Sequence, residues 1–182
     1  LAQALYFPDL LVRIKAALAL GKAMPEEDFE GSDQVVPVLS SALTLQGQQF
    51  YMVVEPDQQE AETVAELMSD ESTTVVAATL LSEALRTAHE ELTHLDAIFL
   101  ASDMERPTVI EAIRQIKGDS RFGLTPIVVN VKQGDTVVIE RIRAEDDRVG
   151  IVLEVNETPD AAFIDTMLAK ADQVAPQFGY RP

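Results

Sequence analysis

The sequence predicts an α/β protein in which a hairpin of two helices precedes a doubly wound, five-stranded parallel sheet. From about residue 48 onward, five short apolar segments alternate with five segments whose apolar residues recur at helical spacing. The apolar segments are continuous rather than alternating, which is typical of parallel strands buried on both faces. Right-handed crossovers between such strands favour a doubly wound sheet covered by helices on both sides.

The N-terminal part of the chain has a different pattern, so we expect a helical hairpin over residues 1–45 and an α/β domain over residues 46–182. Asp9 is the expected N-cap of the first helix. The apolar face of that helix holds Leu10, Ile14, Ala17 and Leu18. A second helix begins near Ser32 and places three apolar residues in register: Val36, Leu39 and Leu43.

The elements of the α/β domain follow one another in strict alternation. Strands are expected at residues 50–54, 73–77, 96–101, 126–131 and 148–153. The helices between and after them end near residues 69, 91, 117 and 142, and a last helix begins near Pro159. This order is the βαβ repeat of an open parallel sheet.

The composition excludes several classes of function. The 14 Lys and Arg against 31 Asp and Glu give a net charge of −17, so nucleic acid and anionic membranes, which need clustered basic residues, are not expected partners. The chain has no cysteine, which excludes disulfides, thiolate zinc sites and a cysteine nucleophile. No apolar run approaches the ~20 residues that span a bilayer, and no glycine-rich phosphate loop is present.

The candidate site lies where the strands end, because ligands of doubly wound sheets bind at the carboxyl ends of the strands. The residues that the pattern places there are Glu55, Asp57, Ala78, Ser102, Asp103, Val131, Lys132, Glu154 and Val155. Carboxylate oxygens are ligands for hard divalent cations, so Glu55, Asp57 and Asp103 are the candidate metal ligands. The preceding Pro56 favours a different role for Asp57, the N-cap of the next helix, where a side-chain oxygen accepts from a backbone N–H.

Three motifs occur in a recognisable order. In Ala97–Pro107 an apolar strand leads to Asp103, with a proline four residues later; Pro126–Val129 begins the fourth strand; and Thr158–Asp160 begins the last helix. With these motifs, residues 46–175 resemble the receiver domain of two-component response regulators. The resemblance implies a flavodoxin-like fold with strand order 2-1-3-4-5.

The resemblance also implies a phosphoryl-transfer site with Mg²⁺, from which this sequence departs. Asp103 matches the phosphoacceptor, and Glu55 matches the first of two metal-binding acids. The remaining positions differ: Pro56 stands at the second acid, Val131 at the Thr or Ser, and Glu154 at the Lys, or Val155 if the alignment shifts by one residue. Lys132 is the candidate compensating cation. The resemblance therefore predicts a degenerate receiver with no cofactor beyond a weakly held Mg²⁺.

The position of the acceptor depends on the alignment of the third strand. If Asp96 corresponds to the Asp that leads this strand in the family, the acceptor position becomes Ala101, and the phosphorylation site is lost.

The first 45 residues resemble one HEAT-type helical repeat. The matching residues are Pro8-Asp9, Val12-Arg13, Ala16-Ala17, Ala19-Leu20-Gly21 and Val35-Val36-Pro37-Val38-Leu39. Such repeats bury their apolar faces against neighbours, so we expect the face of Leu10, Ile14 and Leu18 to need a packing partner.

These observations predict a non-enzymatic, cytoplasmic signalling or scaffold module. Its expected partner is another protein or a second copy, bound through the face formed by the helix at 136–142, the strand at 148–153 and the last helix. An alternative is a phosphorylation-dependent receiver that accepts a phosphoryl group on Asp103. A third option, a hydrolase of the haloacid-dehalogenase type, would need an Asp nucleophile where Glu55 stands.

Overall fold

The computed structural model describes residues 2–23, 29–44, 47–154 and 158–175, which form two compact units that divide between Gln48 and Gln49. The described residues of the first unit hold a 3₁₀ helix, Ala2–Tyr6, and helices α1, Leu10–Ala23, and α2, Ser32–Thr44. The strands of the second unit are β1, Gln49–Val54; β2, Thr73–Ala78; β3, Ala97–Ala101; β4, Ile127–Lys132; and β5, Gly150–Glu154. Its helices are α3, Gln58–Met68; α4, Leu81–Glu91; α5, Val109–Lys117; α6, Thr136–Glu145; and α7, Ala161–Val174.

All strands pair in parallel, in the order β2-β1-β3-β4-β5. The predicted fold class is therefore confirmed: a doubly wound sheet of flavodoxin-like topology. The order reverses direction between β1 and β3, and such a reversal opens a crevice at the carboxyl ends of these strands.

Strand β3 lies at the centre of two apolar layers and is buried along its whole length. Ile98 and Leu100 contribute to a cluster shared with α4 and α5. Ala97 and Phe99 contribute to a cluster on the opposite face, shared with α3 and α7. Because successive side chains of a strand point to opposite faces, only a continuous apolar run can fill both layers. Full burial of a side chain such as Phe99 stabilises the fold by about 1.5–3 kcal/mol.

Helix starts are set by polar caps that follow the strands. The Asp57 carboxylate accepts hydrogen bonds from the N–H groups of Gln59 and Glu60 at the start of α3. Thr108 and Glu111 form a reciprocal capping box at the start of α5. This box explains why α5 begins at Val109, two residues later than the proline from which the sequence pattern would start it.

The first unit has a small apolar centre of its own. Leu5, Ala16 and Ala17 are buried, and Asp9 Oδ1 accepts a hydrogen bond from Val12 N in the first turn of α1. Three residues on the predicted inner face of α2 have different outcomes. Val36 is 70% exposed, Leu39 packs against the centre, and the side chain of Leu43 lies outside what the structure describes. The expected register of α2 was thus wrong at Val36, because Val35 and Val38 pack inward beside Leu39.

A bilayer-spanning helix would need a long, uncharged apolar stretch. Across the described ranges, no helix meets that requirement.

The turn between α5 and β4 has no room for a side chain at Gly123. A Cβ atom at this position would lie 2.6 Å from the carbonyl oxygen of Asp119 and 2.8 Å from that of Lys117. Both atoms belong to the backbone, so Gly123→Ala should lower the free energy of unfolding by about 1–3 kcal/mol, as overpacking does. Urea denaturation followed by circular dichroism measures this loss.

Gly118 provides the matched control. A Cβ at Gly118 would meet its nearest neighbour, the Arg114 carbonyl oxygen, at 3.4 Å, so Gly118→Ala should change stability by no more than about 0.5 kcal/mol. Equal losses of unfolding free energy in the two variants would contradict a close backbone approach at Gly123.

Candidate functional site

The carboxyl edge of the sheet brings together residues from four strands. Val54 pairs with Leu100, so the next residue of each chain segment, Glu55 and Ala101, lie at the same level. Ala101 pairs with Asn130 of β4. Two residues after Asn130 on the same strand, Lys132 pairs with Glu154 of β5. The site is therefore a row of side chains that crosses the sheet from β1 to β5.

Asp103 and Lys132 form an ion pair above this row. Lys132 Nζ lies 2.7 Å from Asp103 Oδ2, and both side chains are about half exposed. The hydrogen bond to Asp103 raises the pKa of Lys132. The backbone N–H of Lys132 also donates to Ser102 Oγ at 3.4 Å, so the end of β4 is tied to the turn after β3. An exposed pair of this kind contributes at most about 1 kcal/mol to stability.

Glu55 is one of two buried acids of the site and is only 6% exposed. Burial raises the pKa of its carboxyl group to about 7, and the negative charges of Asp103 and Glu60 act in the same direction. The hydrogen bond that Asp57 N donates to Glu55 Oε1 and the charge of Lys132 oppose the shift. Burial has the largest effect, because it removes the solvation of the ionised form.

The predicted metal ligands do not converge. The Asp57 carboxylate is directed to the backbone of α3, where Oδ1 accepts from Gln59 N at 2.8 Å and from Glu60 N at 3.0 Å. The Asp103 carboxylate is paired with Lys132, and Pro56 has no side-chain ligand to offer. Within the described ranges, no three His, Cys, Asp or Glu residues are grouped so that they could hold a metal ion. Mg²⁺ keeps several waters and is held by one or two carboxylates in most of its sites, and of the three candidate ligands Asp57 and Asp103 each already have another partner.

At the end of β5 lies Glu154, one of the two positions at which the resemblance implies a lysine. Glu154 is 8% exposed, and its Oε2 accepts a hydrogen bond from Asn130 Nδ2 at 3.2 Å. Val131, at the position of the Thr or Ser, is fully buried in the apolar layer of α4 and α5. Val155, the other candidate for the lysine position, lies outside the described residues.

The third strand ends at Ala101, and Asp103 lies in the turn that follows. Asp96 directly precedes the strand, and its Oδ2 accepts a hydrogen bond from Phe50 N at 2.8 Å. The structure thus places a methyl group, not a carboxylate, between Glu55 and Asn130 at the level of the sheet edge.

Comparison with known proteins gives matches in structure only. No protein-family model matches the chain, and no curated protein matches it significantly. Among solved structures, the chemotaxis protein CheY4 of Vibrio cholerae superposes with a TM-score of 0.58 at 17% identity, over 68% of this chain and 98% of its own. A response regulator receiver protein from Burkholderia phymatum gives 0.54 at 22% identity, over 71% and 99%. A Chloroflexus aurantiacus protein named as a putative response regulator gives a TM-score of 0.57 at 14% identity, over 71% of this chain and 99% of its own.

The fold is that of a response regulator receiver domain. The likeness covers almost the whole length of the solved receiver structures. At these identities it establishes the fold, and the chemistry of this receiver fold has to be argued from its own residues.

Sequence reasoning gave no role to two members of the site. Asn130 is the one polar residue inside the apolar run Ile127–Val131, and this interruption was a signal that its side chain has a hydrogen-bonding role. Glu60 lies in the first turn of α3, and its charge acts on Glu55. No sequence pattern distinguishes Glu60 from the other acids of that helix.

Proposed function

We propose that this chain is a non-catalytic signalling or scaffold module, in which a receiver fold mediates protein–protein interaction and does not accept a phosphoryl group. The observation that supports this most directly is Glu154. It is a buried carboxylate at the end of β5, the position at which the resemblance implies a lysine that contacts the phosphoryl oxygens.

Having Glu154 in place of the implied lysine has a large electrostatic effect. A phosphoryl group carries a charge of about −1.5 to −2 near neutral pH. Two unit charges ~4 Å apart interact by about 4 kcal/mol at an effective dielectric constant near 20. Replacing a cation by a carboxylate at that distance turns an attraction of this size into a repulsion. Phosphoryl transfer relies on neutralisation of charge by metal ions and cations, so the exchange disfavours it.

The remaining positions support the same proposal. Pro56 and the capping role of Asp57 leave Glu55 without a partner acid for a metal ion. Val131 is buried and has no hydroxyl group. If the acceptor position is Ala101, which pairs with Asn130, rather than Asp103, the acceptor carboxylate is missing as well. Each of these differences would remove one contact that a phosphoryl group needs.

One observation favours the alternative, a receiver that is phosphorylated on Asp103. Lys132 Nζ lies 2.7 Å from Asp103 Oδ2, so a cation stands beside the candidate acceptor although it comes from β4 rather than from β5. In the leading proposal this ion pair instead offsets the charge of Asp103 and is one contact between the end of β4 and the turn after β3.

The proposed interaction face consists of α6, β5 and α7. Val137 and Leu153 are 56% and 50% exposed on this face. In the described part of the chain β5 pairs with β4 alone, so its outer edge is free for a partner. We propose a second copy of the chain or another protein as the partner, in the cytoplasm. The net charge of −17 argues against nucleic acid and membranes.

The helical unit is proposed to be a HEAT-type repeat that contributes to protein recognition. Helices α1 and α2 pack around Ala16 and Ala17, whose small side chains allow close contact. Val36 exposes an apolar side chain on α2. An apolar surface of this kind is what a helical repeat offers to a neighbouring repeat.

Treatment of the full chain with acetyl phosphate and Mg²⁺ tests the central proposal. Intact-protein mass spectrometry should show no phosphoryl adduct, because the acid, hydroxyl and lysine positions are replaced. The triple variant Pro56→Asp, Val131→Thr, Glu154→Lys restores the groups that the resemblance implies, and it serves as a gain-of-function comparison.

The Asp103→Asn variant identifies the acceptor. A stable adduct on the wild-type chain that disappears in Asp103→Asn would overturn the proposal and establish the alternative. An adduct that persists in Asp103→Asn would indicate modification elsewhere and would not support either reading of Asp103.

The interaction face has its own prediction. Leu153→Glu places a charge on the outer edge of β5 and should weaken self-association at least tenfold, since burying an unpaired charge at an interface is costly. Sedimentation velocity of the full chain over a concentration series measures this. Leu67→Glu on α3, 43% exposed in the native chain, is the matched control and should leave association unchanged. Equal association of Leu153→Glu and wild type would exclude this face from pairing.

A further inference from the structure

A cleft lies between the end of β5 and the first turns of α7. Its volume is about 230 Å³, which is far more than one water molecule occupies. The polar residues of its lining all carry oxygen acceptors: Glu154, Thr158, Asp160 and Thr166. None of the described residues that line the cleft is basic, so it offers negative charge and hydrogen-bond acceptors to a side chain that enters it.

Glu154 places a buried negative charge at the wall of this cleft. It is 8% exposed, and its hydrogen-bond partner among the described residues is the neutral amide of Asn130, which donates to Oε2. The cation on the neighbouring strand, Lys132, is paired with Asp103 instead. A carboxylate has about four acceptor positions, and a buried charge is costly unless it is paired. Glu154 therefore has both the need and the capacity for a cationic donor.

The first turn of α7 favours an arginine as that donor. Asp160 Oδ1 accepts a hydrogen bond from Phe163 N at 2.8 Å, so a carboxylate of the chain already compensates the positive end of the helix dipole. Phe163 lines the cleft and is partly exposed. A guanidinium group is planar, binds a carboxylate through two hydrogen bonds and stacks on aromatic rings. A lysine ammonium group has none of these geometric advantages.

The outer edge of β5 leads directly into the cleft. In the part of the chain that the structure describes, β5 pairs with β4 alone, residue for residue from Gly150 to Glu154. The strand contains neither lysine nor proline, which commonly protect edge strands from pairing. Val152 packs in the apolar layer of α3 and α7, so Glu154 projects to that same face. On an added strand, the residue opposite Glu154 would direct its side chain toward this face as well.

We infer that β5 and the cleft bind an extended segment of another protein, which adds a strand at the outer edge of β5 and places an arginine side chain against Glu154 and Phe163. In such strand addition the backbone hydrogen bonds supply affinity and the side-chain pocket supplies specificity. The net charge of −17 favours the approach of a basic partner. The inference rests on the proposed function, because it names the partner chemistry of the face formed by α6, β5 and α7.

NMR of the ¹⁵N-labelled full chain with a short peptide tests the inference. The probe is the acetylated and amidated peptide Thr-Val-Thr-Arg-Thr-Val-Thr, and the control peptide carries citrulline, which keeps the shape of arginine without its charge. The arginine peptide should shift the backbone amides of Leu153, Glu154 and Phe163. It should bind at least about tenfold more tightly than the citrulline peptide, because removing one partner of a buried charge pair is costly. Hydrogen exchange should slow at the outer edge of β5 and stay unchanged in the opposite edge strand, β2.

Glu154→Gln makes the reciprocal change in the protein. This variant keeps an acceptor for Asn130 and loses the charge, so it should bind the arginine peptide at least about tenfold more weakly and the citrulline peptide as the wild type does. Glu66→Gln, which neutralises an exposed acid of α3, is the matched control for net charge and should bind both peptides like the wild type. Equal affinity of the wild type for the two peptides would overturn the inference, even if Glu154→Gln fails to fold.

Other occupants of the cleft give different results. Shifts of the cleft amides that follow protein concentration and not peptide would identify a second copy of the chain. Equal shifts with free arginine, without slowed exchange in β5, would identify a small cation. Either result overturns the inference and leaves the acetyl phosphate test unaffected. A phosphoryl adduct on Asp103 would defeat the proposed function without altering the comparison of the two peptides, so the two failures can be told apart.

Discussion

Burial of the parallel sheet on both faces is the constraint on which the rest of the structure depends. Strand β3 contributes side chains to both apolar layers, and no polar group can be placed along it without losing core contacts. Polar side chains are therefore displaced to the residues that end or follow the strands. This is why Glu55, Asp103, Lys132 and Glu154, far apart in sequence, form one site at the carboxyl edge.

The charged side chains at the carboxyl edge, more than the receiver-like backbone, determine what we expect this site to bind. The backbone is a receiver fold, yet two of its acids are buried and the described cation beside them, Lys132, is already paired with Asp103. This arrangement of charge is the basis of our proposal that the site opposes an incoming anion.

Much of the fold could be predicted from the sequence, because strand burial and helix capping leave local patterns. The continuous apolar runs predicted the strands, and Asp57 followed by helical spacing predicted the start of α3. Val36 was predicted on the wrong face of α2, because this helix is apolar on more than one side and periodicity alone does not identify the buried side. Glu55 is buried beside residues of α3 and α7 that pack over the sheet edge, and single-sequence patterns carry no information about that packing.

The most direct measurement of the central claim is ¹⁹F NMR of the full chain with beryllofluoride, a mimic of the phosphoryl group, at millimolar Mg²⁺. Only the resonances of free fluoride species are expected, because the Glu154 carboxylate repels the anionic mimic where the resemblance implies a lysine. A bound resonance that requires Mg²⁺ and disappears in Asp103→Asn would contradict it.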